Sequence, residues 1–105
     1  METKLVAEIV CGESPEDCHV LMGGDPLNPT WEDYLAGFKE EWQPRIQAIK
    51  ETIIQENKFV SAAYFCNDNY FKLSDGTSIA FTWRAWGDLL QAIENKQEGY
   101  LKWYM

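Results

Sequence analysis

Positive charge is the scarcest commodity in this sequence. Its 105 residues hold nine Lys and Arg against 17 Asp and Glu, a net charge of −8, and no base at all stands between Lys4 and Lys39. A protein that tracks phosphates needs clustered Lys and Arg, so a direct nucleic-acid partner is not expected. The same shortage argues against docking on an anionic membrane surface. Long apolar runs are missing too: none approaches the ~20 residues needed to span a bilayer. The start, Met1-Glu2-Thr3-Lys4, carries neither the basic nor the apolar region of an export signal, and a reduced cytoplasmic setting is expected.

Catalytic and cofactor motifs are also lacking. No phosphate-binding loop, dinucleotide fingerprint, nucleophile elbow, H-E-x-x-H or paired CxxC occurs. Three cysteines, Cys11, Cys18 and Cys66, are an odd number and do not read as a disulfide framework. Cys18-His19 juxtaposes a thiol with the sole imidazole. Six residues separate Cys11 from Cys18, wider than usual zinc spacing, and no second cluster follows. Sequence neighbours also rarely face each other as a nucleophile–base pair requires. No catalytic residue, metal site or cofactor is therefore expected. An enzyme working through a motif-free carboxylate pair is an alternative; Asp68 and Asp75 are candidates, though both suit turns.

What the chain does contain is unevenly distributed. Residues 1–57 hold twelve acids and four bases, whereas residues 58–105 hold five of each. Eleven of the fifteen aromatics lie after residue 57. An acidic helix face above an aromatic sheet accounts for this as plain architecture. Hydrophobic residues make up 46%, the composition of a globular chain, and the length suits a single domain over residues 1–105.

Along the chain, residues 3–11 alternate as a strand, with Leu5, Ala7, Ile9 and Cys11 on one face. Residues 12–29 read as a long connection, with a Gly23-Gly24-Asp25-Pro26 turn and a short helical turn through residues 14–22 capped by Ser14. Residues 30–57 read as the main helix. Thr30 is its cap, Glu32 and Asp33 suit its first turn, and Trp31, Leu35, Phe38, Trp42, Ile46, Ile49 and Ile53 form one stripe. Glu32, Lys39, Glu40, Gln43, Gln47, Lys50, Glu51 and Gln55 form the opposite face. Pro44 should kink or split this helix. Residues 58–67 are apolar on both faces, as in a central strand. Residues 70–74 and 77–82 should pair across a two-residue Asp75-Gly76 turn. A second helix follows over residues 83–97, capped by Thr82, with Trp86, Leu89, Leu90 and Ile93 inward. Gly87 weakens it, or else marks a break with Asp88 as the true cap. The apolar tail, residues 100–105, should pack on the sheet.

The expected fold is thus α+β, a two-layer sandwich of order β-α-β-β-β-α with an antiparallel meander, a Pro-kinked main helix and a packed C-terminal tail. Helices cover one sheet face only, so a homodimer through the open face is expected as a way to cover the other. The leading functional expectation is a small acidic, non-catalytic binding protein. Glu13, Glu16, Asp17, Asp25, Glu32, Asp33, Glu40 and Glu41 would meet a basic protein partner and speed its encounter. A purely solubilising acidic face is the plain alternative. A compact acidic chain without motifs is also typical of accessory-genome products, such as phage, plasmid or gene-cassette proteins. The second expectation is a small-molecule module for cationic or flat apolar ligands. Its carriers would be Trp42, Tyr64, Tyr70, Trp83, Trp86 and Trp103, which would serve equally as core or dimer seam.

Overall fold

A mixed four-stranded sheet, order β1-β3-β4-β2, is the frame on which the helices lie. The computed structural model describes residues 4–22, 30–56 and 69–96. The strands are β1 (Ala7–Cys11), β2 (His19–Leu21), β3 (Asn69–Leu73) and β4 (Ser78–Phe81); the helices are α1 (Trp31–Ala36), α2 (Gln43–Glu56) and α3 (Trp83–Lys96). The fold class is α+β, as the sequence predicts. The described order differs, running β-β-α-α-β-β-α. The strand expected at 58–67, the Gly23–Pro26 turn and the C-terminal tail lie outside the described residues.

Alternation within β3 and β4 follows from covering one sheet face with helices. Phe71, Leu73, Ile79 and Phe81 are buried, while Lys72 between them is exposed. Their rings lock onto α3: Trp86 lies 6.0 Å from Phe71 and 5.9 Å from Phe81, and Phe71 meets Phe81 edge-on at 6.0 Å. Trp86, Leu89 and Ile93 are wholly buried, as are Ile46, Ile49 and Ile53 of α2. α2 lies over β1 and β3, and α1 packs against α3. Thr52 ties helix to sheet, its hydroxyl 2.8 Å from the Ala7 carbonyl and 2.9 Å from that of Ala48.

Strand register sets what the other face displays. Glu8 stands opposite Lys72 and Val10 opposite Tyr70. Ser78 and Ala80 continue that face on β4, and Val20 continues it on β2.

Three local expectations are corrected. The turn between β3 and β4 has three residues, since Leu73 N–H bonds to the Thr77 carbonyl at 2.8 Å and Gly76 N–H to Leu73 at 3.0 Å. Gly76, at φ +93°, supplies the left-handed residue such a loop ends on. The helical turn expected at 14–22 is instead mostly loop leading into β2, which runs parallel to β4, His19 beside Ile79 and Leu21 beside Phe81. The main helix does break, but not at Pro44. α1 ends at Ala36, and a 3-10 turn at Glu40–Trp42 precedes α2. Pro44 is the second residue of α2, where its missing N–H costs nothing because first-turn donors have no partner within the helix.

The inward stripe survives the break: Trp31 is buried, and Leu35, Phe38 and Trp42 are half-buried against the core. The polar face does not survive intact. Lys50 is only 6% exposed, its ammonium 4.7 Å from the centre of the Trp31 ring. α3 is continuous through Gly87, with the Thr82 hydroxyl accepting from Ala85 N–H at 3.1 Å, so Thr82 and not Asp88 is its cap. Among the described residues no helix is long and apolar enough to cross a membrane.

Candidate functional site

Four side chains far apart in sequence form a continuous strip at the hairpin end of the sheet. His19 opens β2, Trp42 closes the 3-10 turn, Arg45 lies in the first turn of α2 and Asp75 sits in the β3–β4 loop. The 3-10 turn is held by Trp42 N–H to the Lys39 carbonyl at 2.8 Å. Arg45 Nη1 bonds to the Glu41 carbonyl at 3.1 Å, and its Nε to Asp75 Oδ2 at 2.9 Å. The guanidinium carbon sits 5.1 Å from the centre of the Trp42 ring. His19 meets the same indole edge-on, with ring centres 4.9 Å apart. One indole therefore contacts both a guanidinium and an imidazole, and a loop carboxylate fixes the guanidinium.

Asp75 is the electrostatic pin of the strip. Burial pushes its carboxyl up, but hydrogen bonds from Thr77 and the hydrogen bond and charge of Arg45 together outweigh this and hold it below its ordinary 3.8. Thr77 N–H reaches Asp75 Oδ1 at 2.9 Å.

The strip brings some of the predicted acids together. Glu16 and Asp17 immediately precede Cys18-His19, and Glu40 and Glu41 immediately precede Trp42. Residues two apart along a chain are separated by at most ~7 Å between Cα atoms and residues three apart by at most ~11 Å, so the His19–Trp42 contact brings the backbones of both acid pairs to one end of the molecule. Glu13 is exposed further along the same loop. Glu32 and Asp33 stand elsewhere, in the first turn of α1, where Asp33 N–H donates to the Thr30 hydroxyl at 3.2 Å. Their charge complements that helix end. Asp25 lies outside the described residues. Glu13, Glu16, Asp17, Glu40 and Glu41 are all exposed, and among the described residues none takes part in an ion pair. Lys4–Glu51, at 2.8 Å, and Arg45–Asp75, at 2.9 Å, are ion pairs that involve other acids. Lys39, exposed, immediately precedes Glu40.

The predicted aromatic surface does not assemble in the same way. Trp86 is wholly buried and belongs to the core, Trp42 to the strip, and half-buried Tyr70 to the outer sheet face. Trp83 is 52% exposed at the start of α3. Tyr64 and Trp103 lie outside the described residues. A cavity of about 330 Å³ is bounded by Val6, Ala7, Glu8, Lys72, Leu73, Ser74 and Gly76. Another, of about 420 Å³, is bounded by Gly87, Asp88, Gln91 and Glu94. Neither is lined by an aromatic side chain among the described residues. The helix layer instead has its own buried polar group. Trp31 Nε1 donates to Gln47 at 3.2 Å, and Tyr34 stacks on Trp31 at 6.0 Å. Burial, and then the charge of Asp88, pushes the Tyr34 phenol well above its ordinary range.

Cys18 and His19 point to different neighbours. The thiol lies 3.6 Å from the His19 carbonyl while the imidazole faces Trp42. Burial raises the Cys18 thiol, with Asp17 adding to the effect and hydrogen bonds to Ser14 and the Ala80 backbone opposing it. A raised thiol is the reverse of an activated nucleophile. Cys11 and Cys18 belong to opposite edges of the sheet, three strand spacings or roughly 14 Å apart, too far for a direct disulfide. Among the described residues no group of three or more His, Cys, Asp or Glu is placed to hold a metal ion. Asp68, paired with Asp75 in the carboxylate alternative, lies outside the described residues.

Sequence reasoning named Trp42 and its acids but not the strip. Only the fold brings residues 19, 42, 45 and 75 together, and no local pattern announces it. No protein-family model, curated protein or solved structure matches the chain.

Proposed function

We propose that the chain is a non-catalytic binding protein that engages a basic surface on a protein partner through the acidic patch around His19 and Trp42. One observation carries this reading. Glu13, Glu16, Asp17, Glu40 and Glu41 are exposed and, among the described residues, enter no ion pair, while the guanidinium beside them is already committed to Asp75. Their field therefore stays available to a cationic surface, and such fields accelerate encounter and favour partners of opposite charge. Trp42, held by Arg45, would give the patch a rigid, half-buried aromatic centre of the kind that anchors interfaces.

The test is capture by the immobilised chain, followed by elution with rising salt. A basic protein should be retained at low salt and released as screening sets in. The triple variant Asp17→Lys, Glu40→Lys, Glu41→Lys should lose it, with an unchanged circular dichroism spectrum. Retention insensitive to salt or to that variant refutes the proposal.

A further inference from the structure

We infer that the partner joins the sheet as an extended basic segment laid along the outer edge of β2. The inference rests on the acidic patch being the site of a basic partner, and it adds how that partner is held and what its sequence is like. Strand register fixes which backbone groups the edge offers. β2 runs parallel to β4, with His19, Val20 and Leu21 beside Ile79, Ala80 and Phe81, and the Leu21 carbonyl accepts from Thr82 N–H at 3.0 Å. In a parallel ladder, a residue that gives its carbonyl to the neighbouring strand turns its N–H the same way, and the next residue turns both groups outward. His19 and Leu21 therefore bond to β4, and Val20 directs its N–H and C=O away from it. β2 is an outer strand of the sheet, and among the described residues β4 is its only strand partner.

The two ends of this edge select the occupant. At its start, Cys18 N–H to the Pro15 carbonyl at 3.0 Å closes a turn whose central residues, Glu16 and Asp17, are exposed and lead into His19. Along the strand and just past it, Val20 is 58% and Met22 78% exposed. The Leu21–Thr82 hydrogen bond brings Trp83, 52% exposed, to the same end as Met22. The edge is thus acidic at one end and apolar at the other, about 17 Å from Asp17 to Met22 at ~3.4 Å per residue. Its complement is an extended stretch of about six residues, basic at one end and apolar at the other. Antiparallel pairing, the slightly more stable kind, places the apolar half first. A basic helix would meet the acids but leave Val20 N–H and C=O unused. Short strands guard sheet edges against indiscriminate pairing, and β2, with three residues, offers little more than one residue's pair of hydrogen bonds. The flanking charges and apolar side chains must supply the rest, so the contact is weak and selective.

The probe is a capped peptide of three valines followed by three arginines, titrated at low salt into the isotope-labelled full chain and followed by amide NMR shifts. It should saturate with a Kd of about 0.1–1 mM, with the largest shifts at the Val20 and Met22 amides. Hexa-arginine should bind roughly fivefold or more weakly and leave the Val20 amide unmoved. Methylating the valine nitrogens of the probe removes its donors without touching the protein and should weaken it roughly fivefold or more. Val20→Pro deletes the outward N–H at an edge position that accepts proline, and should do the same while hexa-arginine binding stays as in the wild type. A probe that does not bind overturns the inference, as does one indifferent to both N-methylation and Val20→Pro. Equal binding of hexa-arginine, with shifts confined to Glu16, Asp17, Glu40 and Glu41, overturns the edge contact but leaves the acidic patch standing as the site of a basic partner.

Discussion

Replacing Gly87 by Ala should stabilise this protein, although Gly87 lies inside a helix packed against the core. The residue is the fifth of α3 and half-buried, with a backbone outside the left-handed region. A Cβ built there meets nothing within 4 Å, so the methyl enters open space beside Asp88, Gln91 and Glu94. Glycine in a helix interior costs about 0.8–1.0 kcal/mol relative to alanine, chiefly through the freedom it retains when unfolded. No steric penalty opposes that gain, so the expected stabilisation is about 0.8 kcal/mol. For a chain of this size it corresponds to a rise of about 3–8 °C in Tm. Urea denaturation followed by tryptophan fluorescence should show a higher midpoint with an unchanged slope. Gly76→Ala is the matched control. Its added Cβ also meets nothing within 4 Å, but Gly76 sits at φ +93°. It should destabilise by about 1 kcal/mol. A Gly87→Ala protein that is neutral or weakened refutes the reasoning, because it would show that α3 needs a flexible residue there.

Two further outcomes follow from the same geometry. Asp75→Asn should cost about 1 kcal/mol at pH 7, a modest sum because both side chains of the Arg45 pair keep nearly a third of their surface in solvent. Since the folded carboxyl lies below its ordinary 3.8, its stabilisation is complete above that value and is lost as pH falls through the folded value. The gap between wild type and variant in denaturation midpoints should therefore close below about pH 4, and a gap independent of pH would contradict this account. Trp86→Ala removes the ring that joins Phe71 to Phe81 and should cost about 3–5 kcal/mol, enough to unfold a marginal domain; near-wild-type thermal melting would refute its place in the core.

Elements whose determinants are local were legible in the sequence. The Thr82 cap and the Trp86, Leu89, Leu90, Ile93 stripe sit within twelve residues of one another and define α3 completely. The Asp75-Gly76 signal located the hairpin, though the loop holds one residue more because Gly76 follows a turn instead of forming half of it. Pro44 announced a break that occurs several residues earlier. The first turn of a helix tolerates proline, whereas Gly37, the α1 C-cap, was the better stop signal. β2 was not legible. Three residues cannot establish a period, and His19-Val20-Leu21 becomes a strand only because β4 offers it a parallel edge. The strip at the candidate site was hidden for the same reason, its residues being joined by strand pairing and not by spacing.

The strand order also governs when the chain can fold during synthesis. β1 and β2, both within the first 21 residues, form opposite edges of the sheet and pair with β3 and β4, some sixty residues later. Among the described residues, neither early strand has a partner until the β3–β4 hairpin has left the ribosome. That hairpin closes locally within microseconds and is the natural template, after which the two N-terminal strands must be captured from either side. Such distant pairing slows folding, and for most of translation it leaves β1, with its Val and Ile, uncovered. A nascent chain stalled before residue 78 should therefore be sensitive to protease over its first 21 residues, and one released beyond α3 should resist.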